Sequence, residues 1–200
     1  IFTGGEPTLR EDLPDLLMAA EINGQVTGLL TDGIKLADAS YLEVLLQTGL
    51  DHLMIIFDSR KDQVWKALEN ALQADIFVAV HVTLRENTLA EKIALLERLA
   101  EMGVKEISVS AASKDLASEL DTLRQKIAQL ELDLVWNLPT PYSAMHPVAL
   151  ETGLSEHPQG AGSAFLYLEP DGDVLPAQGV NRVLGNFLND SWEKIRKSGA

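Results

Sequence analysis

Between residues 25 and 137 short apolar runs alternate with segments of helical periodicity, and that alternation constrains the fold more than any other feature. The runs cover residues 25–30, 52–57, 76–84, 106–110 and 132–136. The run His52-Leu53-Met54-Ile55-Ile56-Phe57 is nearly all apolar rather than alternating. A strand of that kind is buried on both faces, as strands of parallel sheets are. Between the runs, Leu42, Leu45 and Leu46, then Val64, Leu68 and Leu72, recur at helical spacing, and the patterns predict helices over 39–48, 61–73, 88–102 and 115–131. Thr88 with Glu91 three residues on fits a capping box. Asn23-Gly24, Gly49 and Gly103 sit where helices end. Short turns between alternating strands and helices give α/β architecture with a parallel sheet and right-handed crossovers.

The chain opens with Ile1-Phe2-Thr3-Gly4-Gly5-Glu6-Pro7, and a helical pattern over 9–23 carries Leu13, Leu16, Leu17 and Ala20. This reads as a strand that stops abruptly and turns into a helix. The glycines permit conformations closed to other residues and let a ligand approach the main chain. Glu6 and exposed carbonyls suit a ligand with an ammonium group. The plainer alternative is a tight turn whose Glu6 complements a helix dipole. In folds of this kind the loops after the strands' carboxyl ends form the working edge. Glu6, Thr31, Asp32, Asp58, Asn87, Ser113 and Asn137 fall there. His81 lies mid-strand between Val80 and Val82. It either points into the interior near a substrate or is a hydrogen-bonded core histidine, the commoner case.

Composition excludes more than it identifies. A net charge of −14 argues against proteins that track nucleic-acid phosphates and against docking on anionic membranes. No apolar run is long enough to span a membrane, and no signal-peptide pattern is present. The 200 residues contain no cysteine, so they can form no disulfide, zinc thiolate site or cysteine-ligated iron–sulfur cluster.

Phe2-Thr3-Gly4-Gly5-Glu6-Pro7-Thr8-Leu9-Arg10 resembles the Gly-Gly-Glu-Pro motif of radical S-adenosylmethionine (radical SAM) enzymes. The resemblance implies a partial (β/α) barrel, related to the TIM barrel, over residues 1–137, lacking its first βα unit. It implies that Gly4, Gly5, Glu6 and Pro7 hold the cofactor's methionine ammonium, with Thr31, Asp58 and Asn87 touching the rest of the cofactor. In the family a Cys-x3-Cys-x2-Cys loop binds a [4Fe-4S] cluster. Here it would lie upstream of residue 1, so the chain reads as a fragment, inactive alone. The complete protein would be a cytoplasmic oxidoreductase that takes an electron from an external donor. It would cleave S-adenosylmethionine to a 5′-deoxyadenosyl radical and abstract hydrogen from a peptide or cofactor precursor. Thr31-Asp32-Gly33 departs mildly from the family's Thr-Asn-Gly, and Phe57 stands where a small polar residue often does.

Residues 138–162 hold four prolines without periodicity, which predicts a linker or loop with a short helix near 148–152. Tyr142 and His146 are further candidates to face a substrate. Over 163–200, Pro170-Asp171-Gly172 between short apolar runs predicts a β-hairpin, and a helix follows from about Ser191. Ala161-Gly162, Pro170-Asp171-Gly172, Pro176 and Gly185-Asn186 resemble the SPASM or twitch extension of the same family. Gln159 and Ala177 stand where that extension has cysteines, which implies a hairpin that has lost its cluster. The competing reading is a cluster-free relic of the fold that binds a small molecule or peptide without catalysis.

Overall fold

The computed structural model describes residues 1–135, 160–177, 180 and 182–199. It divides into two compact units, Ile1–Pro141 and Tyr142–Ala200. In the first unit, β1 (Gly28–Thr31), β2 (His52–Ile56), β3 (Phe77–Leu84), β4 (Glu106–Ala111) and β5 (Asp133–Leu134) lie side by side in chain order, all parallel. Helix α1 (Leu13–Ile22) precedes β1. Helices α2 (Ala39–Gln47), α3 (Asp62–Leu72), α4 (Leu89–Glu101) and α5 (Ala117–Gln129) occupy the crossovers. An unbroken strand order with right-handed crossovers puts every helix on one face, whereas a doubly wound sheet needs its order to reverse. The result is an open, partial (β/α) barrel with a helix-covered outer face and an inner face.

Register separates the two faces. Thr31, Ile55, Val80 and Ile107 stand at one level. Gly33, just after β1, lies against the side chains of Ile55 and of α3's Val64 and Ala67, so that set faces the helices. Leu53, Ile55, Val80, Val82 and Ile107 are fully buried there with Val64, Ala67, Leu68 and Ala71 of α3. On the inner face Leu30, Met54 and Ala79 form a smaller cluster with Ile56 and Val135. Burial on both sides explains why β2 carries no polar alternation.

The expected helix over 9–23 is shorter and begins later. Pro7–Leu9 form one 3-10 turn and α1 starts only at Leu13. Pro14 sits in the first turn of α1, where a missing N–H is tolerated. The carboxylate of Asp12 does not cap the helix; Arg10 takes both its oxygens, at 2.9 and 2.7 Å. Leu16, placed on the buried stripe by spacing, is exposed. The capping box at Thr88 does not form either. Thr88 Oγ1 donates to the carbonyl of Arg85 and accepts from its N–H, closing the turn after β3 instead. The opening strand is reduced to one parallel bridge, Phe2 to Leu29. A Cβ on Gly28 would meet Ile1 Cγ1 at 2.9 Å, so glycine there lets the first residues lie close on β1.

The second unit holds the expected hairpin. β6 (Tyr167–Leu168) pairs antiparallel with β7 (Asp173–Leu175) across Pro170-Asp171-Gly172, closed by Gly172 N–H to the Glu169 carbonyl at 2.9 Å. A third strand, β8 (Gly185–Asn186), pairs on the other side of β7. Helix α6 (Trp192–Gly199) follows. Val174, Leu184 and Ile195 form the core of this unit, with Leu166 against it. A Cβ on Gly185 would fall 2.9 Å from Ile195 Cγ1 and 3.0 Å from Asp190 Oδ2, so glycine permits α6 to close on the sheet. The Asn186 amide donates to the Asp171 carbonyl and to Asp173 Oδ1, and its oxygen accepts from Leu188 N–H. Gly185-Asn186 is therefore a packing and hydrogen-bonding device. The helix expected near 148–152, and Tyr142, His146, Asn137 and Gln159, lie outside the described residues. Among the described residues, no helix is long and apolar enough to cross a membrane.

Leu53→Ala removes a side chain buried in the middle of the sheet. The expected cost is about 2–5 kcal/mol by urea denaturation, against about 0.5 kcal/mol or less for Leu9→Ala, whose side chain is 75% exposed.

Candidate functional site

All five strands are parallel, so their carboxyl ends share one edge, and Glu6 is the most connected residue on it. The ladder beside β1 begins normally: Phe2 N–H donates to the Gly28 carbonyl at 2.7 Å, and Leu30 N–H to the Phe2 carbonyl at 3.0 Å. Parallel pairing would next hand the Asp32 N–H to the carbonyl of Gly4. It goes instead to Glu6 Oε2 at 2.7 Å. Glu6 Oε1 accepts from Thr8 N–H at 3.0 Å, from Thr8 Oγ1 at 2.6 Å and from Thr31 Oγ1 at 2.6 Å. The carboxylate thus replaces the strand that stops at Gly4 and ties the first turn to the end of β1. Thr31 in turn accepts from Gly33 N–H at 3.1 Å.

Gly4 has φ +132°, a backbone conformation that L side chains rarely adopt. A Cβ added at Gly4 or Gly5 would meet nothing within 4 Å, so the main chain stands open on that side. Pro7 and Thr8 are buried beneath it. The Thr8 carbonyl accepts from Lys35 Nζ at 2.8 Å, and the Lys35 ammonium stands 4.5 Å from the centre of the Tyr41 ring. Burial, and then the negative charge of Glu6, push the Tyr41 phenol upward. An ammonium-bearing ligand fits this turn. Gly4 and Gly5 offer main chain without steric cover, and Glu6 Oε2, with a single donor, retains accepting capacity.

Of the sequence candidates, Glu6 and Thr31 are joined by a hydrogen bond, and Gly4, Gly5 and Pro7 adjoin Glu6 along the chain. Asp58 and Asn87 lie on the same edge after β2 and β3, but neither is bonded to that group. Asp58 is held by Arg60, whose Nε and Nη2 donate to its two oxygens at 2.8 and 2.9 Å. That guanidinium holds the carboxyl down to about 2. Trp65 Nε1–H donates to the Ser59 carbonyl at 2.8 Å and fixes the same loop, with Phe57 edge-on to the Trp65 ring and Arg98 over its face. Asn87 has φ +57°, the left-handed conformation asparagine tolerates in turns. Ala177 is buried, and the thiolates of an iron–sulfur cluster have no source in the chain.

The inner face carries a polar group that sequence reasoning left incomplete. His81 is both things at once: it faces the interior and is hydrogen-bonded. Its Nδ1 is 3.1 Å from Ser108 Oγ, and its Nε2 is 2.9 Å from Ser110 Oγ. Ser110 Oγ donates to Thr83 Oγ1 at 3.3 Å. The signal was present in the sequence. His81 and Thr83, and Ser108 and Ser110, are spaced by two within their strands, so each pair shares a face. Burial pulls the His81 pKa down to about 4.

No family model matches the chain. Its fold is similar to that of SuiB from Streptococcus suis. The structure of SuiB bound to S-adenosylmethionine matches with TM-score 0.68 at 20% identity, over 96% of this chain and 52% of SuiB. A further SuiB structure matches with TM-score 0.67 at 19% identity, over 96% and 54%. SuiB bound to the precursor peptide SuiA matches with TM-score 0.66 at 19% identity, over 96% and 52%. The chain therefore spans about half the length of these proteins. The likeness is one of fold: a partial (β/α) barrel followed by a small antiparallel sheet and helix.

Glu6→Ala strips the acceptor from four donors around the turn. It is expected to cost about 2 kcal/mol in urea denaturation and to speed exchange of the Asp32 amide. A loss under about 0.5 kcal/mol would show that the carboxylate holds nothing. His81 predicts a second effect. Its folded pKa lies below the ordinary 6.5, so the unfolded chain binds the proton more readily. Stability present above pH 6.5 should fall between pH 6.5 and 4, by on the order of 3 kcal/mol. His81→Gln, less stable at neutral pH, should lose that part of the slope.

Proposed function

We propose that this chain is the S-adenosylmethionine-binding part of a radical SAM enzyme that modifies a peptide. The observation that carries the reading is the Gly4-Gly5-Glu6-Pro7 turn, open over its glycines, at the carboxyl edge of a parallel sheet. The fold likeness to a SuiB structure holding S-adenosylmethionine, and to one holding a precursor peptide, supports it by analogy. In this reading residues 1–137 are the barrel portion, 138–162 a linker or loop, and 163–200 a SPASM- or twitch-like extension. The main chain of Gly4 and Gly5 receives the methionine ammonium, with Glu6 Oε2 beside it. Pro7 fixes the turn and Thr31 orients Glu6. Asn87 and Asp58 line the same edge toward the remainder of the cofactor, Asp58 after releasing Arg60. Bound there, S-adenosylmethionine would supply hydrogen-abstracting chemistry, with the electron coming through a cluster that an external donor reduces.

The [4Fe-4S] cluster does not fit these residues, because none of them is cysteine. In this reading its ligands, and the missing βα unit, belong to sequence upstream of residue 1, and the enzyme works in the cytoplasm. Alanine at position 177, buried where the family's extension has a cysteine, favours a second reading. In that reading the chain is a cluster-free binder of the same ligand or of a peptide.

The upstream genomic sequence distinguishes the two: Cys-x3-Cys-x2-Cys after an apolar strand supports the enzyme, and a start codon near Ile1 without cysteines overturns it. Calorimetric titration of S-adenosylmethionine into the 200-residue protein tests the shared claim. Binding is expected, with affinity about tenfold weaker in Gly5→Val, which places a branched side chain over the open main chain. Equal affinity in the two proteins, or none in the wild type, would sink the assignment of this turn.

A further inference from the structure

The inner face of the sheet changes character along the strands. At the level of Leu30, Met54 and Ala79 it is apolar on β1 to β3, with Glu106 and Asp133 at the same level on β4 and β5. Two and four residues further along β3 and β4 it becomes polar: His81 stands opposite Ser108, and Thr83 opposite Ser110. His81, Ser108 and Ser110 are buried, and Thr83 is half-buried nearer the carboxyl edge. Burying an imidazole and three hydroxyls costs more than burying alanines and valines there would. The sheet's stability does not call for them.

We propose that Thr83, His81, Ser108 and Ser110 form a recognition site for a neutral carbonyl, that of an amide group, on the substrate. The proposal rests on the peptide reading above and names which part of such a substrate meets the sheet. Hydrogen accounting gives the polarity of the site. Ser110 Oγ donates to Thr83 Oγ1, so at its 2.9 Å contact with His81 it accepts, and Nε2 carries the imidazole hydrogen. Nδ1 then accepts from Ser108. The four groups carry four hydrogens and these three contacts use three; the longer contact of Thr83 Oγ1 with His81 Nε2, at 3.4 Å, meets a nitrogen that in this arrangement carries its own hydrogen and so accepts none. The remaining hydrogen is on Thr83, at the end of the chain nearest the working edge. Each bond in such a chain polarises the next, which strengthens the terminal donor.

Charge decides which acceptor that donor meets. Among the described residues, the inner-face register positions of β1 to β5 hold no lysine or arginine, while Glu106 and Asp133 occupy their lower end. Ile56 stands opposite His81, and Phe57 N–H continues the ladder to the His81 carbonyl at 2.9 Å. Two residues past Ile56, Asp58 falls at the level of Thr83. Burial keeps the His81 ring uncharged well below neutral pH. The cation at that level, Arg60, is already engaged by both oxygens of Asp58, so a ligand carboxylate would be desolvated beside a second carboxylate and a paired guanidinium, whereas an amide carbonyl loses little.

The test uses acetamide and acetate as probes on the isotope-labelled 200-residue protein at neutral pH, read by NMR at the Thr83 methyl and the His81 ring. The His81 ring is expected as the Nε2–H tautomer. Acetamide should shift both signals saturably, with Kd on the order of 10–100 mM. Acetate at equal ionic strength should bind at least about tenfold more weakly. Thr83→Val, near-isosteric without the hydroxyl, should abolish the acetamide response. Ser110→Ala, which breaks the chain one step earlier, should weaken it and serves if the first variant fails to fold. A non-saturating response, equal binding of acetate, an Nδ1–H ring, or a response surviving both substitutions would overturn the proposal. S-adenosylmethionine added to the same sample reports separately at the Gly4 and Gly5 amides. Shifts there with none at Thr83 reject the carbonyl site and leave the cofactor reading standing; the converse rejects the cofactor reading alone.

Discussion

The working edge of this protein depends on one carboxylate taking over a backbone's place. A parallel ladder that ends early leaves donors facing outward, and buried donors without partners cost about 1–3 kcal/mol each. Glu6 resolves this by bending back from the residue after the glycines and accepting the Asp32 N–H itself. The same side chain collects Thr8 and Thr31. Because the acid performs the ladder's last step, the carbonyl of Gly4 is spared that duty. A strand continuing through Gly4 would have spent that carbonyl on β1. The stopping of the strand, the glycines and the acid are therefore one device, and removing any one alters what the other two present.

This places Glu6 between two roles that the sequence set against each other. As a ligand-binding acid it needs accepting capacity; as a structural acid it needs donors. Oε1 has three donors and belongs to the fold. Oε2 has one and faces both tasks. A ligand ammonium meeting Oε2 would also meet the main chain next to it. Affinity would then be shared among several acceptors, and a charge-neutralising substitution at Glu6 would act through the turn's shape as well as through lost charge.

The sheet and its helices were legible because burial on two faces writes itself into the residues. The run 52–57 has no polar position to spare, and α3 carries Val64, Ala67, Leu68 and Ala71 at helical spacing against it. The Gly-Gly-Glu-Pro turn was legible as a turn, but its bonding was not, since nothing in the spacing says that Thr8 and Thr31 converge on one oxygen. Thr88 shows the limit of local patterns: its hydroxyl found the Arg85 carbonyl three residues back before any helix N–H. Leu16 falls on the apolar stripe by spacing and is nevertheless exposed. β8 was missed because two residues, Gly185 and Asn186, carry no strand propensity; they pair through close packing of α6 and through the Asn186 amide.

The inner face was readable in principle and shows how function and fold can be separated in such a chain. A residue that serves stability is replaceable by another of its size and polarity, and the helix-facing valines and leucines are of that sort. The polar quartet on β3 and β4 is different, because its members fit one another only as a set: the imidazole needs both serines, and Ser110 needs Thr83. A network of that kind stabilises only when complete, since a partly satisfied one is worse than an apolar core. Its place beyond the Leu30, Met54 and Ala79 cluster gives β3 and β4 a hydrogen-bonding stretch toward the carboxyl edge. The carbonyl site proposed above follows from that change along β3 and β4, since a neutral polar group is what the terminal hydroxyl of Thr83 would meet.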